Sequence, residues 1–241
     1  MVIANARLIA SKSHLVPLTR RSLAQDALTR IRRAIVANEL PQCTPLPEDQ
    51  LAAQLGVSRV PIREALTQLE NEGLVEVDNR GRSRVRNFTD DDFEDVYSMR
   101  CALEMMSARL AVQRITDADV HDLEAIIRQQ ETAADLTELS VQDVALHERI
   151  IQATRNRQLM VCWKTIRSQI EVWLARAHRA QAANHLSAVE LTVPGHRSLL
   201  AALRSGDVRK AEDAMKMEMI TWREWLPAEQ ASSAGRQPGC S

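Results

Sequence analysis

The stretch from Glu48 to Gly73 limits the fold more than any other part of this sequence. Residues 48–55 place Leu51 and Leu55 on one helical face, and Gly56 follows as a residue that tolerates positive φ at a helix C-terminus. Only two residues later, Ser58 can cap a second helix over residues 59–72, with Pro61 accepted in its first turn. The buried face of this second helix should be Ile62, Leu66 and Leu69, and Gly73 stops it. Upstream, residues 22–38 carry an apolar stripe at Leu23, Ala27, Ile31, Ala34 and Ile35. Pro41, Pro45 and Pro47 then forbid a continuing helix and impose an extended connector. Downstream, residues 74–77 alternate like a short strand, residues 78–81 (D-N-R-G) read as a turn, and residues 82–88 as the returning strand.

Three helices, a tight turn between the last two, and a β-hairpin make a winged helix-turn-helix pattern. The turn sets the second short helix at a steep angle to the first, so that its N-terminal end can enter a DNA major groove. The side chains there are Ser58, Arg59, Val60 and Arg63. Arginine can pair with guanine through two hydrogen bonds or clamp a phosphate, and Arg59 and Arg63, four residues apart, share one helix face. The wing tip adds Arg80, Gly81 and Arg82, with Arg84 and Arg86 beyond. Strand alternation places the four arginines on one side of the hairpin. Charge agrees in direction: residues 1–88 hold 13 Lys/Arg against 9 Asp/Glu, whereas the whole 241-residue chain has a formal net charge of −1. Such an asymmetry is by itself a weak sign that one part meets a polyanion.

These residues carry a family resemblance. The run V-S-R-V-P-I-R-E-A-L (57–66), followed by E-G-L-V (72–75), resembles the GntR family of bacterial transcription regulators. The chain departs from that pattern in three places. Asn38 stands where the family usually has Gly after the first helix, and the usual Pro-Gly of the connector reads P-Q-C-T (41–44). Asp49 occupies a position that is sometimes a DNA-contacting arginine. The resemblance implies double-stranded operator DNA as a partner.

From residue 89 the pattern is helical throughout, so the fold class expected is mainly α: a winged helix-turn-helix followed by an all-α antiparallel bundle. Helices are expected at 89–113, 117–134, 139–154, 157–182, 187–205 and 207–226, with Asn156, Pro194 and Gly206 as punctuation. The domain reading is a flexible arm over 1–21, a DNA-binding domain over 22–88, an effector and dimerisation domain over 89–226, and a disordered tail over 227–241. Aromatic residues make up only 3%, which argues against a large β-sandwich. No run of about 18 apolar residues exists, so no transmembrane helix is expected. Four cysteines without C-x-x-C spacing argue against a zinc–cysteine site and a disulfide framework, and fit a reducing cytoplasm.

The first helix of the bundle carries Arg100 on its apolar stripe. A buried arginine needs a partner, and both Glu104, one turn on, and an anionic effector remain open for that role. The run V-Y-S-M-R-C-A-L-E (96–104) resembles the start of the FCD ligand-sensing domain, which follows the winged helix in the FadR-like branch of the GntR family. That resemblance implies a metal site of one Asp and three His. Asp143 and His147 match the D-x-x-x-H pair, and His196, in P-G-H-R-S-L-L-A-A-L, matches the next histidine, although Gly195 precedes it where Glu is usual. The family's final histidine falls on Glu218. The implied set is therefore Asp143, His147, His196 and Glu218, suited to Zn, Ni or Mn. From spacing alone, Asp143 and His147 read first as an ordinary hydrogen-bonded pair on a helix surface.

The function expected is that of a homodimeric, cytoplasmic, ligand-responsive transcriptional regulator, a repressor in sense, with a small organic acid as effector and Arg100 as its countercharge. Two other readings stay open: a metal-independent regulator that binds a larger ligand such as an acyl thioester, and a metal-dependent enzyme. The second lacks any distinct general-base motif and leaves the winged helix unexplained.

Overall fold

A computed structural model of the chain describes residues 21–225. The arm expected over residues 1–21 and the tail expected over 227–241 therefore lie outside the described residues, apart from Arg21. Among the described residues, α1 (Arg21–Val36), α2 (Glu48–Leu55), α3 (Arg59–Asn71), β1 (Val75–Val77) and β2 (Ser83–Val85) form the N-terminal unit. The bundle that follows comprises α4 (Asp90–Ala111), α5 (Asp117–Glu131), α6 (Leu136–Ala153), α7 (Arg157–Ala183), α8 (Ala188–Arg204) and α9 (Val208–Glu224).

The N-terminal unit follows the sequence closely. Gly56 ends α2 at φ 68°, and Asn38, standing where the family usually has Gly, adopts φ 62°. Ile62, Ala65, Leu66 and Leu69 turn inward from α3 onto Leu28, Ile31 and Ile35 of α1. Ser58 holds the N-cap position of α3, but its hydroxyl makes no capping hydrogen bond. The hairpin pairs Val75 with Val85 and Val77 with Ser83. Its returning strand is shorter than the expected 82–88, and the proline-rich connector lies along its other edge: Leu46 N–H donates to Ser83 C=O (2.9 Å) and Val85 N–H to Thr44 C=O (2.9 Å).

Helix starts in the bundle are set by local chemistry. Thr89 with Asp92, and Thr116 with Asp119, form reciprocal capping boxes at α4 and α5. Asn156, Ser187 and Asp207 cap α7, α8 and α9. Pro194, expected as punctuation, lies inside α8. Cys101 and Cys162 are free thiols.

One apolar core runs through both units. Phe88, directly after the wing, meets Trp173 of α7 edge-on, and Phe93 of α4 packs on Trp173 and on Trp222 of α9. A second cluster, with Leu123, Ile127, Leu146, Leu199 and Met215, fills the far end of the bundle. Polar contacts cross the same junction. Glu72, at the C-cap of α3, accepts hydrogen bonds from Arg32 of α1 and from Ser168 Oγ of α7 (2.8 Å). Arg179 of α7 donates to the carbonyl of Val36 at the end of α1 (2.8 Å).

Candidate DNA-reading face and sensor site

Ser58, Arg59, Val60 and Arg63 are all exposed on the outer face of α3, opposite its buried stripe. The two arginines are not isolated. Glu48, in the first turn of α2, accepts from Arg63 Nε and Nη2 (2.9 Å each) and from Arg59 Nη2 (3.1 Å), and Asp49 adds a contact to Arg59 Nε (3.0 Å). Despite partial desolvation, these hydrogen bonds, led by Arg63, hold the Glu48 carboxyl down at about 2. Both arginine forks are thereby held against α2 instead of waving freely.

The wing is less freely basic than alternation suggested. Arg82 pairs with Asp78 (2.7 Å), Arg84 with Glu76 (2.7 Å) and Arg86 with Asp92. Arg80 and Gly81 sit exposed at the tip, where Gly81 takes φ 74° and the N–H groups of Arg80 and Arg82 both donate to Asp78 Oδ1 (2.9 Å). Carboxylates across the hairpin and at α4 thus fix these arginines and offset part of the wing's positive charge.

Inside the bundle, the residues singled out from sequence converge. Asp143, His147 and His196 are buried, and one ligand atom from each lies within 4.8 Å of the others. His147 Nε2 is 3.6 Å from Asp143 Oδ1, and His196 Nε2 is 3.8 Å from Asp143 Oδ2. Donors that share a first-row ion at about 2.1 Å stand roughly 3–4 Å apart, so this spacing suits one cation. The outer ring nitrogens are held. His147 Nδ1 contacts the Glu104 carboxylate, which can only accept. His196 Nδ1 lies 2.9 Å from Gln130 Oε1, while the amide nitrogen of Gln130 donates to Gln142 C=O (3.1 Å), which fixes the amide's orientation. Both rings therefore carry the Nδ1 proton and turn Nε2 toward Asp143, the orientation that metal-binding imidazoles require. Asp143 Oδ1 is buried without a hydrogen-bond partner. The residues present fit a divalent metal ion.

Arg100 finds the partner that its position demanded. Its Nε donates to Glu104 (2.6 Å), its guanidinium lies 4.4 Å over the Trp222 ring, and Nη2 is 4.0 Å from Asp143. Burial opposes ionisation of Glu104, but Arg100 and His147 outweigh it and hold the carboxyl at about 2. Burial likewise pushes His196 down to about 4 and Glu218 up to about 7.

Glu218 stands apart from the compact group of three. Its Oε2 is 3.6 Å from His196 Nε2, and its Oε1 occupies the space that a Cβ at Gly195 would need. The two departures from the family pattern, Gly195 and Glu218, are therefore neighbours. Both line a cavity of about 460 Å³ together with Asp143, His178, Lys210 and Trp222. Arg100 does not reach the wall of this cavity.

Sequence reasoning missed His178, Ser140 and Gln130. His178 is buried, with Nε2 3.9 Å from Asp143 Oδ2 and Nδ1 2.8 Å from Ser140 Oγ. No spacing rule connects α7 to α6, because only the way the helices pack brings these side chains together.

A winged helix joined to a helical bundle whose cavity is lined by apolar and charged side chains is the architecture of a ligand-responsive regulator of transcription. The chain belongs to the GntR family: residues 23–85 match the bacterial regulatory proteins of the gntR family, and residues 95–219 match the FCD domain. It is 27% identical over 203 residues to the gluconate operon transcriptional repressor of Bacillus licheniformis, covering 82% of this chain and 83% of that one. It is 28% identical over 222 residues to a protein of Paenarthrobacter nicotinovorans named "Probable D-xylose utilization operon transcriptional repressor", covering 90% and 93%. In fold it resembles E. coli McbR/YncC, with a TM-score of 0.66 at 21% identity over 85% of this chain and 99% of that one. These relatives are transcriptional regulators rather than enzymes. Among the described residues, no helix is long and apolar enough to cross a membrane.

Proposed function

We propose that the protein acts in the cytoplasm as a homodimeric repressor. Ser58, Arg59, Val60 and Arg63 of each protomer would read one half of a near-palindromic operator, and Arg80, Gly81 and Arg82 would hold the flanking backbone. One short helix reads too few base pairs for specificity, and two-fold symmetry doubles the contacts.

The bundle senses a small organic acid through a divalent ion, Zn, Ni or Mn, held by Asp143, His147 and His196. The observation that carries this reading is the pair of Nε2 atoms turned toward Asp143, that of His147 facing the unpartnered Oδ1 and that of His196 facing Oδ2. When bound, the ion supplies the positive charge that an acid needs, because Asp143, Asp213 and Glu218 line the cavity against Lys210 alone among Lys and Arg. Glu218 forms part of the cavity wall, and Arg100 adds positive potential at Asp143 from behind it. The relatives named for gluconate and D-xylose operons favour a hydroxylated effector of similar size. Effector binding then shifts the population of bundle states and with it the spacing of the two α3 helices.

Native mass spectrometry of freshly purified protein, beside an Asp143→Ala/His147→Ala variant, tests the reading. A dimer with about one divalent ion per chain, absent in the variant, is expected. A wild-type protein that stays metal-free after metal is added back would refute it.

A further inference from the structure

His178 meets the same chemical conditions as the two histidines already assigned. The Ser140 hydroxyl has a single proton, which it gives to the Leu136 carbonyl (2.7 Å). Toward His178 Nδ1, 2.8 Å away, that hydroxyl can therefore only accept, so the ring carries its proton on Nδ1. The lone pair on Nε2 is left 3.9 Å from Asp143 Oδ2 and accepts only a long hydrogen bond, from the Thr192 hydroxyl at 3.5 Å. His178 is 2% exposed and lines the same cavity as Asp143. Three imidazoles on α6, α7 and α8 are thus each held at Nδ1, by Glu104, Ser140 and Gln130, and each presents Nε2 to one carboxylate.

We propose that His178 is the fourth protein ligand of the metal site, giving an Asp143, His147, His178, His196 set, and that Glu218 stays outside the coordination sphere. The proposal rests on the metal reading above. His178 lies outside the group of three whose ligand atoms fall within 4.8 Å of one another, so ligation requires it to move toward Asp143. That movement matters because of what else α7 carries. Ser168 on the same helix bonds Glu72 at the end of α3, and Arg179, the next residue after His178, bonds the end of α1. A ligand on α7 connects site occupancy directly to the helix against which the DNA-binding unit is docked.

The test is titration of the full-length protein with Co²⁺ alone, followed by its d–d absorption, with Zn²⁺ competition for affinity. The proteins compared are wild type, His178→Ala, His178→Gln, Glu218→Ala and Asp143→Ala/His147→Ala, each checked for folding by circular dichroism. His178→Ala and His178→Gln are expected to alter the d–d bands and weaken binding by at least about 10-fold, the scale on which even outer-shell changes act. Glu218→Ala should keep the wild-type spectrum and bind within about 2-fold of it. A wild-type spectrum and affinity in a folded His178 variant would overturn the proposal, as would loss of both in Glu218→Ala. Failure of wild type itself to bind Co²⁺ would overturn the metal reading and this inference with it, an outcome separate from binding that ignores His178.

Discussion

Glu48 and Arg63 meet in a two-point contact across the helix-turn-helix, Oε1 to Nε and Oε2 to Nη2, each at 2.9 Å. The same carboxylate reaches Arg59, so a single acid on α2 sets the direction of both arginines of the reading helix. Removing it frees two long cations and leaves the core of the unit intact, because neither arginine is buried. Glu48→Gln should therefore lower the ratio of specific to non-specific DNA affinity while leaving the melting temperature within about 2 °C of wild type. Parallel anisotropy titrations on a selected and a scrambled duplex measure that ratio, and an unchanged ratio would show that the arginines need no such guide.

Arg63 and Arg82 should fail in different ways. Arg63→Ala is expected to weaken specific binding roughly 5- to 100-fold and relax the preference at one base pair. Arg82→Ala should weaken all sequences alike and reduce the salt slope by about 1. Affinities measured across a series of salt concentrations separate the two patterns.

Asp119 ties the start of α5 to the end of α6. It is 1% exposed, closes the Thr116 capping box, and binds Arg149 (2.6 Å) and Arg155 (2.8 Å). Burial pushes its pKa up, but the Thr116 hydroxyl and N–H and the two arginines outweigh that and hold it below the usual carboxylate range. A depressed pKa in the folded state contributes stability above the ordinary aspartate range, and that stability is lost as pH falls below it. Asp119→Ala should cost about 2–4 kcal/mol at pH 7 in urea unfolding, with a smaller difference from wild type in acid.

Glu104 is the shared partner of two buried groups, Arg100 and His147. Glu104→Ala leaves a guanidinium buried without its carboxylate, at an expected cost of about 3–5 kcal/mol. It also removes the acceptor that orients His147, so metal affinity should fall by about 10- to 100-fold. Denaturation and metal competition on the same sample give both values, and stability lost without loss of metal affinity would separate Glu104 from the site.

The N-terminal unit was legible because its determinants are local: Gly56 at φ 68°, Asn38 at φ 62° and the Ile62, Leu66, Leu69 stripe each act within a turn of helix. The helices of the bundle were legible for the same reason, and their ends fall within three residues of expectation, with the starts of α4 and α5 set by the capping boxes of Thr89 and Thr116. Asp143, His147 and His196 follow from family resemblance, because i, i+4 spacing alone describes an ordinary hydrogen-bonded pair on a helix. His178 did not, since its approach to Asp143 depends on how α7 packs on α6. The pairing of wing arginines with Glu76, Asp78 and Asp92 was likewise hidden, because alternation fixes the side of a strand but not the acids across from it.

The central claim is that occupancy of the bundle site changes affinity for DNA. The direct measurement is an anisotropy titration of a duplex selected from a random pool, using Zn²⁺-loaded protein with and without each of a panel of small hydroxy acids that includes gluconate. At least one acid should shift the dissociation constant 5-fold or more, within the usual range of coupling between sites, and the Asp143→Ala/His147→Ala variant should show no shift. Identical dissociation constants for metal-loaded wild type across the whole panel would contradict the account.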